Sequence, residues 1–304
     1  MHVLDFYQAL IQKKIPIIVD SHQLNAYLRE QGYQTILFDE YDFQTQQVAF
    51  IIFSDYPYYY KLEELWHTSK STVVHLPAVR LDGSFEVICY SFNQLITADI
   101  EQGLVIRAKL YEKIADTDSE FYLSDLRGSK LKCQLAESVE IANADEELHP
   151  GWFYSVSEFW ESSVVNFKAN KSSFSLEGTF FFDGILYQTT TQETKERNGK
   201  ALKYLADKVA SSKEKYLQVE DNTITHLILD SRDETSVLLD MNYDLERNLS
   251  LTEVGFGCNT NILETINWRI NSVLNKGVYG THIGIGMAQK CPYIDFISKT
   301  LKLL

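Results

Sequence analysis

The chain has 304 residues, 45% hydrophobic and 23% charged, with a formal net charge of −14. Its length exceeds what one hydrophobic core usually serves, roughly 250–300 residues, so two domains are expected. The negative charge disfavours nucleic acid, which is bound chiefly through Lys and Arg, and no apolar run approaches the ~20 residues of a membrane span. The stretch 1–16 mixes Asp5, Gln8, Gln12, Lys13 and Lys14 among its apolar residues, unlike a secretory signal, so a cytoplasmic location is expected. Cys89, Cys133, Cys258 and Cys291 stand singly, which suits reduced thiols rather than a disulfide framework or a metal knuckle.

In chain order, the apolar pattern predicts a helix over 3–13 and a buried strand over 15–19. A helix over 25–31 is closed by the C-capping signal of Gly32 before a strand over 35–38. The alternation continues with a strand over 48–53, a helix over 61–69, a strand over 72–76 and a helix over 103–114. This defines an N-terminal, mainly parallel α/β domain over residues 1–120, an open sheet with helices on both faces. From Phe121 the texture changes to short alternating runs at 173–176, 179–182 and 226–229, with Gly178 and Gly184 read as turn punctuation. The tract 191–216 places Ala201, Leu202, Leu205 and Val209 at helical spacing and reads as an amphipathic surface helix.

Specific signals cluster near the C-terminus. Glu253-Val254-Gly255-Phe256-Gly257-Cys258-Asn259 is followed by Gly280-Thr281-His282-Ile283-Gly284-Ile285-Gly286 and by Tyr293-Ile294-Asp295. Upstream lie Ser124-Asp125-Leu126, His149-Pro150-Gly151 and the segment 174–184. In this order the blocks resemble those of the thermophilic metallo-aminopeptidase family, of the leucyl aminopeptidase and aminopeptidase T/S type, over about residues 120–297. The family's blocks read E-x-G-x-G-x-N, G-T-x-H-x-x-x-G and H-x-D, preceded by G-T-D-L, P-G-G-E-x-x-x-x-P and G-T-x-x-x-D-G. The resemblance implies a C-terminal aminopeptidase-like α/β domain over 121–304 and a C2 homodimer.

Two divalent ions about 3.5–4 Å apart need several converging carboxylates and imidazoles to compensate their charge. Carried over by block, Glu253, His282 and Asp295 take ligand positions. The family's glutamate after Pro-Gly falls on Trp152 and Phe153, its histidine before the final aspartate on Tyr293, and its glutamate before G-T-x-H on Asn275 or Lys276. Two carboxylates lost and one cation gained shift the local balance by about three charges, which weakens divalent binding.

Two readings follow from this degenerate set. In the first, the chain is a non-hydrolytic peptide-binding protein that presents a precursor peptide to partner enzymes in peptide natural-product biosynthesis. It needs no cofactor, and its cleft candidates are Trp152, Phe153, Tyr154, Lys276 and Tyr293. In the second, Glu253, His282 and Asp295 hold one divalent metal, such as zinc, cobalt, manganese or iron, in an aminopeptidase or another mononuclear metal enzyme. Each residue also has a purely structural reading: Glu253 paired with Lys276, His282 as a hydrogen-bonded core histidine, Asp295 accepting backbone donors. Nucleotide chemistry is unsupported, since Gly255-Phe256-Gly257 lacks a third glycine and 280–286 lacks a Gly-Lys-Ser/Thr.

Overall fold

The computed structural model describes residues 1–241, 247–286 and 291–303, and its strands form one parallel and two antiparallel sheets. The parallel sheet runs Thr35–Leu37, Ile17–Val19, Val48–Ile52, Thr72–Leu76 and Phe153–Ser155 across its width. Its strands are nearly continuous apolar runs because both faces are covered. Ile17, Val19, Phe50 and Ile52 face the main core with helices Val3–Ile11, His22–Glu30, Phe85–Thr97 and Ile100–Ala115. The alternate residues Ile18, Ala49, Ile51 and Phe53 face a smaller core closed by Tyr56 and Leu62 of helix Tyr56–Leu65. The α/β class read from the sequence is therefore the class observed.

Several boundaries differ for physical reasons. The helix predicted over 61–69 starts earlier, at Tyr56, with a proline in its first turn, where a missing N–H costs nothing. Helix Phe85–Thr97 has no counterpart in the sequence reading; it is rich in aromatic and β-branched residues, which are weak helix formers. Ser84 Oγ accepts the Val87 N–H at 3.3 Å, and Val87, Ile88, Ser91, Phe92 and Leu95 bury one stripe, so packing overrides propensity. The parallel sheet draws its fifth strand, Phe153–Ser155, from well beyond residue 120.

The first antiparallel sheet runs Glu120–Ser124, Lys130–Leu135, Phe174–Phe181, Lys215–Glu220, Thr223–Leu229 and Arg232–Asp233. Gly178, expected to mark a turn, instead lies inside strand Phe174–Phe181 at φ +125°, where a Cβ would collide with the Lys130 carbonyl. Here the glycine permits close backbone approach rather than a reversal. The helix expected over 191–216 is Gln192–Ser211, burying Leu202, Leu205 and Val209 and giving way to the strand that starts at Lys215.

The second antiparallel sheet runs Gly184–Gln188, Tyr293–Ser298, Gly280–Ile285, Leu251–Gly257, Glu161–Val165 and Ile141–Ala142. Strands Leu251–Gly257 and Gly280–Ile285 are buried at every position. Asn166 ties the two antiparallel sheets together: its amide donates to the Phe174 and Leu251 carbonyls at 3.1 and 3.2 Å and accepts from the Ser173 and Phe174 N–H groups. A continuous core reaches from Val3 to Leu301 across both halves of the chain. Among the described residues no helix is long and apolar enough to cross a membrane.

Candidate functional site

Four strands of the second antiparallel sheet aim polar side chains at one point. Cross-strand neighbours share a face, and the register sets His282 opposite Gly255, while Gly284 lies between Glu253 and Asp295. A Cβ at Gly255 would sit 2.5 Å from His282 Cε1 and 2.8 Å from Ser163 Oγ. One at Gly284 would sit 2.7 Å from both Asp295 Oδ1 and the Tyr293 hydroxyl. The glycines of the two blocks thus clear the space into which the neighbouring functional side chains lean.

Two further residues are placed by Trp160, which is fully buried. A Cβ at Gly103 would lie 2.7 Å from its ring, and one at Gly277 2.6 Å from its Cβ, so both elements close directly onto this residue. Glu161 follows Trp160 and begins the strand paired with Leu251–Gly257. Lys276 ends the short helix Val273–Lys276, just before Gly277.

The Lys276 ammonium lies at the centre. Its Nζ is 3.0 and 3.1 Å from the two Glu253 oxygens, 3.2 Å from Glu161 Oε1 and 3.7 Å from Asp295 Oδ2. It also donates to the Tyr293 hydroxyl at 3.3 Å. His282 Nε2 is 3.2 Å from Glu253 Oε1 and 3.3 Å from Glu161 Oε2. The Tyr293 hydroxyl contacts Glu253 Oε2 and Asp295 Oδ1, the latter at 2.7 Å.

Three carboxylates around one ammonium leave negative charge in excess, and the acid strengths show where it is relieved. Burial works to raise Glu253, but Lys276 and His282 outweigh it and hold this carboxyl well below the usual range. Burial pushes Glu161 up to about 7, with Glu253 and Asp295 adding to the rise against the pull of Lys276. Burial and the neighbouring Glu253 likewise raise Asp295. Burial would lower Lys276, yet Asp295, Glu161 and Glu253 raise it, so the lysine stays charged. Burial and the same carboxylates hold the Tyr293 phenol well above its ordinary value, so it stays neutral. A phenol carries one proton but here meets two carboxylates.

Glu161, Glu253 and His282 each offer a donor atom within 4.8 Å of the others, so this trio is the candidate metal set. The sequence reading paired Glu253 and His282 with Asp295; the structure adds Glu161, which that reading missed. Its single clue was a lone charge opening the strand Glu161–Val165, whose other four residues are all buried. A divalent ion fits the trio poorly while Lys276 is in place. A metal about 2.1 Å from Glu253 Oε1 would lie within about 5 Å of the ammonium. Repulsion there is about 7 kcal/mol at an effective dielectric of 20.

The cluster opens into a cleft of about 310 Å³ whose walls include Arg80, Glu158, Phe167, Gln188 and Thr190. Of the cleft candidates read from the sequence, Lys276 and Tyr293 line it, and Trp152, Phe153 and Tyr154 do not. The parallel pairing of Phe153–Ser155 with Thr72–Leu76 carries these three away. Phe153, part of the smaller core, stacks on the exposed Trp66, and the Tyr154 hydroxyl accepts the His149 N–H at 3.0 Å. Trp152 is 59% exposed beside His149 and Tyr154. Asp125, in the turn compared above with G-T-D-L, accepts the Arg127 and Ser129 N–H groups at 3.0 and 2.9 Å and shapes a structural loop.

Fold and cluster together define an α/β protein with a buried, lysine-centred carboxylate site at the floor of a cleft. Residues 12–303 match the family described as crocagin biosynthetic protein CgnE/B, and the chain belongs to that family. Its architecture is similar to wild-type AmpT from Thermus thermophilus, at a TM-score of 0.53 and 10% identity over 93% of this chain and 87% of that one. A second solved structure, 2,5-dihydroxypyridine dioxygenase from Pseudomonas putida KT2440, matches at a TM-score of 0.47 and 11% identity over 96% and 90%. Among curated proteins none matches the sequence.

Proposed function

We propose that this protein binds a peptide without cleaving it and presents a precursor peptide to partner enzymes of peptide natural-product biosynthesis. Membership of a crocagin biosynthetic family supports the pathway class. The observation that carries the non-hydrolytic part is the position of Lys276, within 3.0–3.2 Å of Glu253 and Glu161. Metal-assisted hydrolysis requires a Lewis acid or an activated water at such carboxylates. An ammonium supplies charge compensation but has no open coordination position for either role. The adjoining cleft combines Phe167 with Gln188, Thr190 and Arg80, an apolar wall with hydrogen-bonding groups of the kind that hold peptide backbones.

The second reading, a mononuclear metal enzyme, is favoured by the spacing of Glu161, Glu253 and His282. One experiment separates the two. A fluorescein-labelled precursor peptide of the crocagin class is titrated into the protein with excess EDTA, and Leu-p-nitroanilide turnover is followed in parallel. Saturable binding at about 10 μM or tighter, with no release of p-nitroaniline, is expected. Chelator-sensitive cleavage accompanied by stoichiometric metal reverses the ranking.

A further inference from the structure

The cluster has the donors of a metal site and the cation of an ion-pair network. Its donor spacing suits a small divalent ion: Glu161 Oε2 and Glu253 Oε1 lie 3.3 and 3.2 Å from His282 Nε2. Ligands about 2.0–2.1 Å from a tetrahedral zinc are separated by about 3.3 Å. The cation actually present is Lys276, whose side chain is 8% exposed. Its direction is fixed from behind, because Gly277 closes onto Trp160 and Ser272 Oγ caps the short helix by accepting the Leu274 N–H at 3.3 Å. On the far side Asp295 Oδ2, fully buried and without a hydrogen bond among the described residues, faces the ammonium at 3.7 Å. The carboxylates are therefore gathered for more positive charge than one ammonium supplies.

We propose that Lys276 is a tethered cation that does the structural work of a metal ion, and that without it Glu161, Glu253 and His282 form a divalent-cation site. The lysine keeps the floor of the cleft assembled independently of metal supply and excludes a competing ion by like-charge repulsion. Because the lysine is covalently part of the chain, chelators cannot remove it. This inference concerns the cleft's own cation and stands whether or not a peptide is the ligand.

The test uses the full chain as wild type, Lys276→Met and Lys276→Gln, the second keeping a hydrogen-bond donor in case the first folds poorly. Zinc is titrated by calorimetry, and melting temperature is read with zinc and with EDTA. Wild type is expected to melt at the same temperature under both conditions and to bind no stoichiometric zinc. At least one variant is expected to melt lower and regain at least half the loss on adding zinc. It should bind one zinc per chain at least about 10³-fold more tightly than wild type. Adding Glu253→Gln to that variant should abolish the gain. A variant that folds only when prepared with zinc also supports the proposal. Equal zinc affinity in wild type and variants overturns it, as does absence of stoichiometric zinc from both variants or failure of both to fold even with zinc.

Discussion

Replacing Glu161 by Gln removes one carboxylate from the Lys276 cluster while keeping its shape, and its effect should depend on pH. The folded protein holds this carboxyl at about 7, against 4.5 for an ordinary glutamate. Between those values the native state keeps a proton that the unfolded chain releases. The stability contributed by this group is therefore complete below 4.5 and is lost as pH rises through about 7. The full interval corresponds to about 3 kcal/mol, and the 12% exposure of the side chain calls for little screening discount. The interaction of Glu161 with the neighbouring Glu253 and Asp295 brings the expected value to about 1–3 kcal/mol. At about 2 °C per kcal/mol for a chain of this size, that is roughly 2–6 °C. The assay compares melting temperatures of wild type and Glu161→Gln at about pH 5 and about pH 8, where the wild type should lose ground relative to the variant. His75, which burial holds at about 3, works in the opposite direction, stabilising above 6.5 and failing as pH falls, but it is common to both proteins and cancels in the difference. A difference constant to about 1 °C across the range refutes the assignment of the raised carboxyl to Glu161.

Gly255→Ala should push its new methyl into the His282 ring, costing about 1–3 kcal/mol for overpacking plus about 1–3 for the strained His282–Glu253 hydrogen bond. Thermal melting measures the loss, and a variant as stable as wild type contradicts the close approach. Asn166→Ala should strip four hydrogen bonds from the junction between the two antiparallel sheets. It leaves buried backbone groups unpaired at about 3–5 kcal/mol in total. Chemical denaturation measures that loss, and one below about 1 kcal/mol argues against the junction.

Much of this architecture was legible in the sequence because it is local. Continuous apolar runs such as Val48–Ile52, alternating with helices, mark a sheet covered on both faces, and Gly32 at φ +83° closes a helix as its position suggests. The blocks around Glu253 and His282 were visible because glycine alternates with a functional residue along their strands, as the strand period of two requires, and the block around Asp295 because Tyr293 and Asp295 keep the same two-residue spacing. Glu161 was not visible. Nothing near it in the chain explains a buried acid; its partners arrive through the pairing of Glu161–Val165 with Leu251–Gly257 and through the lysine that ends helix Val273–Lys276. Trp152, Phe153 and Tyr154 lie away from the cleft that Lys276 and Tyr293 line. Their aromatic character was plain, but whether they face a cleft or complete a sheet depended on a parallel pairing with Thr72–Leu76. The sequence by itself determined the inventory of charges, the strand and helix periods and the glycines. Tertiary structure alone decided which carboxylates surround Lys276, because strand pairing brings sequence-distant side chains within hydrogen-bonding distance, where burial magnifies each charge.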